Sequence, residues 1–195
     1  MRWFFGGLAA ILIVVLIYLG SAAVSLAGLA AAARSGDGAA VIARTDVKSL
    51  TQSLADQIVG AYLDRIGQSR QVRPMERTLV RGVGIGFAEA MIAKMLTPDR
   101  LTQLLKTGGI GANDGLPSFE GVPKLADLDT GNVLSLLQRF RFIQPVEFAI
   151  RISESSEPEL YSAVKVHFYG TGWKMSGLVL PEKVARDLAA ALPAK

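Results

Sequence analysis

No charged residue occurs between Arg2 and Arg34, and this run of 31 positions constrains the chain more than any other feature. Crossing a hydrocarbon core takes about 20 apolar residues at a rise of 1.5 Å each. The stretch from Trp3 to about Ala23, which contains the aliphatic block Leu8 to Leu19, is long enough, and the Ala-rich remainder extends beyond a bilayer. Trp3 and Tyr18 stand where interfacial aromatic residues are expected. A cleaved signal peptide is the competing reading, because Ser21-Ala22-Ala23 fits a signal-peptidase site. The anchor is preferred, since the apolar run continues past that site without a polar break. An N-terminus this short is expected to stay in the cytoplasm. The expectation is a bacterial inner-membrane protein with a single pass and its C-terminal domain in the periplasm. Residues 1–33 would form the anchor or signal segment and residues 34–195 a single domain. The small-residue spacings Gly6/Ala10, Ser21/Ser25 and Gly28/Ala32 either let two spans approach or arise from the Ala-rich composition, and the second account is favoured.

Cysteine is absent and there is one histidine, which removes disulfide scaffolds, thiol nucleophiles and cysteine or multi-histidine zinc sites. Apolar residues make up 50% and charged residues 19% of the chain. That is too apolar for an ordinary soluble domain and too charged for a protein of many spans.

Beyond Arg34, Gly36 and Gly38 around Asp37 stop the first helix. A second begins near Thr45, with Leu50, Leu54, Ile58, Ala61, Tyr62 and Ile66 recurring at helical spacing. Residues 67–73 form a polar connection, and Pro74 suits the first turn of a third helix reaching about Leu96. Within it, Gly82-Val83-Gly84-Ile85-Gly86 lacks the preceding strand and the lysine of a phosphate loop and reads as a helix segment open to close approach or kinking. Thr97-Pro98-Asp99 caps a short helix ending before Gly108 and Gly109. Residues 107–130 read as a long loop, either functional or without fixed order.

After Leu137 the period changes to two. Val146, Phe148, Ile150 and Ile152 form one apolar row, and Leu160, Val164, Val166 and Phe168 form its neighbour across an acidic turn from Glu154 to Glu159. Arg139–Ile143 and Trp173–Leu180 complete four strands, and Pro181 opens a short terminal helix. The fold class is α+β: an N-terminal transmembrane helix, a helical half packed on a four-stranded antiparallel sheet, and a short C-terminal helix.

Three segments, taken in order, resemble an uncharacterised bacterial family, domain of unknown function 2939. They are Ser35-Gly36-Asp37 leading to Thr45-Asp46-Val47 with Leu50, then Leu96-Thr97-Pro98-Asp99-Arg100-Leu101, and Gly172-Trp173-Lys174-Met175 closing on Val179-Leu180-Pro181. The resemblance implies an N-terminal signal or anchor and a small α+β body. It implies no activity, and the helix after Pro181 is an addition to its pattern.

Chemistry is scarce. His167 lies on the polar face of a strand beside Lys165 and Tyr169, without a nucleophile-elbow motif anywhere. Glu154, Glu157 and Glu159 share one turn, whereas paired catalytic carboxylates need rigid spacing in a cleft. Arg65, Arg70, Arg73, Arg77 and Arg81 form a basic cluster that could contact an anionic surface, against a simpler reading as a solvated loop and helix start. A net charge of +4 with no recognised module gives no case for nucleic acid. The function expected is therefore a membrane-anchored periplasmic module that binds or scaffolds without catalysing. It needs no cofactor, metal or catalytic residue, and its partners are the bilayer and a membrane protein. An accessory subunit of a larger membrane complex is the alternative, and a hydrolase a distant third.

Overall fold

The computed structural model of this chain describes all residues except 1, 70–72, 110, 112–119, 123, 129–134, 136–137, 156, 158 and 191–195. The uncharged run forms one helix, α1 (Arg2–Ser35), which divides into two environments. Leu8, Leu12 and the residues from Ile13 to Ile17 are 45–67% exposed, whereas Ala22, Leu26, Leu29, Ala30 and Ala33 are buried in the main core. The core therefore crosses the expected boundary at residue 33 and takes in the inner half of α1.

Gly36, at φ +77°, adopts the left-handed conformation that closes α1. The Asp37 carboxylate then accepts from the Ala40 N–H at 2.9 Å and caps a short helix, α2 (Gly38–Ala43), which the apolar periodicity does not reveal. Next come α3 (Val47–Ser69), α4 (Pro74–Met95) and α5 (Pro98–Thr107). Leu50, Leu54, Ile58 and Leu63 of α3 are buried together with Ala88, Ile92 and Met95 of α4. The glycine-rich segment is α4 helix throughout. Only Gly84 meets α3, where an added Cβ would stand 3.4 Å from Val59, while Gly82 and Gly86 face open space.

The long segment expected at 107–130 lies partly outside the described residues, yet its second half is built into the body. Leu125–Asp127 form a 3₁₀ turn, and Val122, Leu125 and Leu128 are buried. Gly108 (φ +78°) cannot carry a side chain, because a Cβ would fall 2.0 Å from the Val122 carbonyl oxygen. A surface insertion that could be removed freely would not look like this.

Strands β1 (Phe140–Gln144), β2 (Glu147–Arg151), β3 (Ala163–Phe168) and β4 (Trp173–Val179) form an antiparallel sheet in sequence order. Phe148 lies opposite Val166 and Ile150 opposite Val164, and all four are buried, as the alternation predicts. Leu160 departs from its expected apolar row. It is exposed, because β3 begins only at Ala163 and the chain before it is held by the Ser162 N–H donating to Ser153 Oγ at 3.1 Å.

The β4 edge is closed by backbone bonds from Asp46 N–H to the Met175 carbonyl (2.8 Å) and from Met175 N–H to the Arg44 carbonyl (2.9 Å). Further along, the Gln57 amide donates to the Leu178 carbonyl at 2.7 Å and accepts from the Leu180 N–H at 2.8 Å. α3 thus runs along β4 and removes the hazard of an unpaired edge. A terminal helix, α6 (Glu182–Ala190), packs against α3 through Val184, Leu188 and Ala189.

Candidate functional site

The most developed polar and aromatic arrangement lies where α1 meets the sheet. The Tyr18 ring stands 5.0 Å from Trp173, 5.6 Å from Phe168 and 6.3 Å from Phe148, and its hydroxyl donates to the Pro145 carbonyl at 2.7 Å. One and two turns on, the Trp173 indole N–H donates to Ser21 Oγ at 2.9 Å and Ser25 Oγ donates to the Trp173 carbonyl at 2.8 Å. Ser21 and Ser25 therefore serve packing within the chain. Gly28 does the same, admitting the Arg44 side chain to 3.1 Å from where a Cβ would sit.

Pro145 sits in the β1–β2 turn, and the β3–β4 turn lies at the same end of the sheet, since the Phe168 N–H donates to the Val146 carbonyl at 2.9 Å. Beside these turns the Tyr169 hydroxyl donates to Asp46, whose carboxylate also accepts from Ser49 Oγ at 2.7 Å and from the Ser49 N–H at 3.1 Å. Burial by itself pushes the Asp46 carboxyl up, but the hydrogen bonds from Tyr169 and Ser49 outweigh it and hold the group below its ordinary range. Burial raises the Tyr169 phenol, and its bond to Asp46 raises it further. The two groups lock the start of α3 to the sheet end.

The arginine cluster lies elsewhere. α3 begins at Asp46 beside Tyr169, passes Leu180 at Gln57 and carries Arg65 on a later turn. Arg65 is 16 residues beyond Ser49, about 24 Å along the helix. Arg65 stacks over the Tyr62 ring at 5.2 Å, Arg81 pairs with Asp56 at 3.4 Å, and Arg73 and Arg77 are exposed at the start of α4. Arg70 lies outside the described residues. Arg65, Arg73 and Arg77 are thus at the end of the α3–α4 hairpin remote from Tyr18, and Arg81 lies further along it, opposite Asp56.

His167 and the acidic turn, the candidates for chemistry in the sequence, stand apart among the described residues. His167 lies opposite Glu147 and Lys174 in the sheet and contacts the Tyr169 ring at 4.8 Å. Among the described residues no hydrogen bond joins His167 to a hydroxyl or a carboxylate. Glu159 pairs with Arg186 at 3.8 Å, and Glu154 lines an open cleft of about 1100 Å³ with Glu120, Lys124, Asp127 and Arg139. The cleft joins the 120–128 segment to the acidic turn, a juxtaposition that sequence spacing cannot reveal. Its charges are of both signs: Lys124 pairs with Asp127 at 4.0 Å, and the Arg139 guanidinium donates to the Ile152 carbonyl at 3.3 Å. No group of three or more His, Asp or Glu among the described residues is placed to hold a metal ion. Inside the core, the gap among Leu54, Ile58, Met95, Leu104, Leu180 and Leu188 is about 20 Å³, room for one water molecule.

Residues 11–104 match the model of a family described as Protein of unknown function (DUF2939). The match runs from the exposed half of α1 into α5 and so covers the inner half of α1 and α2 to α4. The sheet and α6 lie outside the matched residues. No curated protein and no solved structure matches the chain.

Proposed function

We propose that this chain is a single-pass membrane protein whose uncleaved N-terminal helix is both anchor and core element, and whose α+β body is a non-catalytic binding or scaffolding module outside the cytoplasm. One observation carries the reading: α1 is continuous, with an aliphatic outer half exposed and an inner half buried in the body. Cleavage after Ala23 would remove Tyr18, Ser21, Ala22 and Ala23, which together bind Trp173 and fill the core. A helix of an ordinary soluble domain would not leave Leu8, Leu12 and the stretch Ile13–Ile17 in water, since about 25 cal/mol per Å² favours their removal from it. The family match beginning at residue 11 agrees with an α1 that stays attached to the body.

Intact mass of the chain purified from detergent-extracted bacterial membranes tests the reading. The expected mass retains the residues before Val24, the protein resists carbonate extraction, and a reporter fused after Lys195 is active only when exported. Mature protein starting near Val24 in the soluble fraction would overturn it.

The accessory-subunit reading is favoured by α4. Met75, Leu79, Val83 and Phe87 follow one another at intervals of four and are 52–79% exposed on the side away from α3, an apolar ridge of the kind that marks protein contact. Co-purification of a stoichiometric membrane protein in mild detergent, lost on Val83→Glu, is the result that would place this reading first.

A further inference from the structure

Resting on the anchor reading above, we infer that the β1–β2 turn is a second membrane contact, seated in the interfacial layer of the same bilayer that α1 crosses. Two independent observations carry this. The first is position. The run of exposed aliphatic residues in α1, Leu8, Leu12 and Ile13 to Ile17, ends where the helix first seats on the body, at Tyr18. If that stretch lies in the hydrocarbon, Tyr18 stands near its boundary, where an amphipathic aromatic ring is favoured. The Pro145 carbonyl, bonded to the Tyr18 hydroxyl at 2.7 Å, stands at the same depth.

The second observation is what the turn displays. Phe142, Ile143 and Val146 are 65%, 41% and 37% exposed around Pro145, a concentration of apolar side chains on a tight turn that water does not favour. Phe142 continues the face on which α1 lies, with its ring 5.7 Å from Phe148, which in turn contacts Tyr18. The apolar surface is thus continuous from the exposed half of α1 to the turn. The neighbouring β3–β4 turn at the same sheet end carries one such side chain, Tyr169, whose hydroxyl is bonded to Asp46, followed by Gly170-Thr171-Gly172. Arg141 and Lys174 are exposed on the strands behind the tip, where their chains reach the headgroup layer, and Glu147 at the base of the turn is half-buried. Aromatic and aliphatic side chains at the tip with cations behind them match the polarity gradient of a lipid interface. Seating the tip there sets the tilt of the body on the membrane.

The chain has no cysteine, so single-cysteine variants report one position each. Full-length Leu12→Cys, Ile143→Cys and Leu160→Cys, each carrying an environment-sensitive fluorophore, would be placed in nanodiscs with and without lipids doxyl-labelled near the headgroup. Leu160 is exposed at the opposite end of the sheet and serves as the aqueous reference. The expected result is loss of emission at positions 12 and 143 with doxyl lipid and no loss at 160. If position 12 is quenched by doxyl lipid but 143 responds only to aqueous iodide, as 160 does, the turn is solvated and the inference falls while the anchor stands. If position 12 responds only to iodide, the anchor reading falls and this one with it. A probe at 143 shielded from both quenchers means that protein, including a second copy of the chain, covers the turn, which also overturns it. Val146→Cys repeats the test should the label at 143 disturb the fold.

Discussion

The two halves of α1 are both free of charge and have opposite fates. Leu8, Leu12 and the residues from Ile13 to Ile17 are Leu, Ile and Val and stand exposed, while in the Ala-rich half Ala22, Ala23, Leu26, Leu29, Ala30, Ala32 and Ala33 are buried. The difference is size. Alanine lets neighbouring elements approach the helix backbone, and two leucines on one face fill the space between. Bulky β-branched chains all round a helix instead present a surface with no preferred side, which suits lipid. The absence of charge therefore says little about where a membrane helix ends and a domain begins, and the fall in side-chain volume along the run says more.

Deletion breaks or confirms this division most sharply. A chain beginning at Ile17 keeps Tyr18 and the whole inner half and is expected to fold cooperatively in water. A chain beginning at Val24 loses the Tyr18 and Ser21 seats and is expected to lack a cooperative urea transition. Equal behaviour of the two would place the body's start elsewhere.

Substitutions refine the same contrast. Phe148→Ala removes the ring at the centre of the aromatic cluster and should cost about 3–5 kcal/mol, and Leu29→Ala about 2–5 kcal/mol. Leu12→Ala, in the exposed half, should stay within about 0.5 kcal/mol in detergent micelles. Denaturant midpoints of the full chain decide between them. Glu147→Ala, on the strand beside Phe148 and pointing to the other face, should likewise change little, and a loss equal to that of Phe148→Ala would mean a different register.

The lock at the start of α3 yields a pH dependence of smaller size. Asp46 titrates lower in the folded protein than when unfolded. Its stabilisation is therefore complete above the unfolded value, about pH 3.9, and is lost as pH falls through the lower folded value. Tyr169 titrates higher when folded, so its contribution is complete below about pH 10 and is lost as pH rises through the folded value. Tyr169→Phe should flatten both limbs of the stability profile, and a profile unchanged by that substitution would show that the pair does not govern it.

The least effect is expected at the arginines. Reversing Arg73 and Arg77 to Glu, at the end of the α3–α4 hairpin remote from Tyr18, should leave stability within about 0.5 kcal/mol and membrane attachment unchanged. A clear loss of attachment on anionic vesicles would return the cluster to the membrane surface and revise the orientation of the body.

Much of the architecture was legible along the chain. Thr97 followed by Pro98 marks the start of α5, Pro74 that of α4, and the alternation through Phe148 and Val164 gives the sheet its buried face, because each of these signals acts over a few residues. Helix α2 escaped because six residues carry too little periodicity, although Asp37 is a capping residue. The burial of Val122, Leu125 and Leu128 escaped because a segment without period can still pack on elements distant in sequence. The chemical scarcity of the chain, with one histidine and no cysteine, was equally plain from composition.

By itself, the sequence determined the elements, their order and the presence of a helix apolar enough to enter a bilayer, since propensity, capping and hydropathy are local properties. Tertiary structure alone decided that half of this helix belongs to the body, that Gln57 and the backbone around Arg44 and Asp46 close the β4 edge, that the β1–β2 turn stands beside Tyr18 and that Arg65, Arg73 and Arg77 stand far from it. These are distances between residues more than 100 positions apart in several cases, and no local pattern encodes them; they follow only when the apolar faces are fitted against one another and each buried polar group finds its partner.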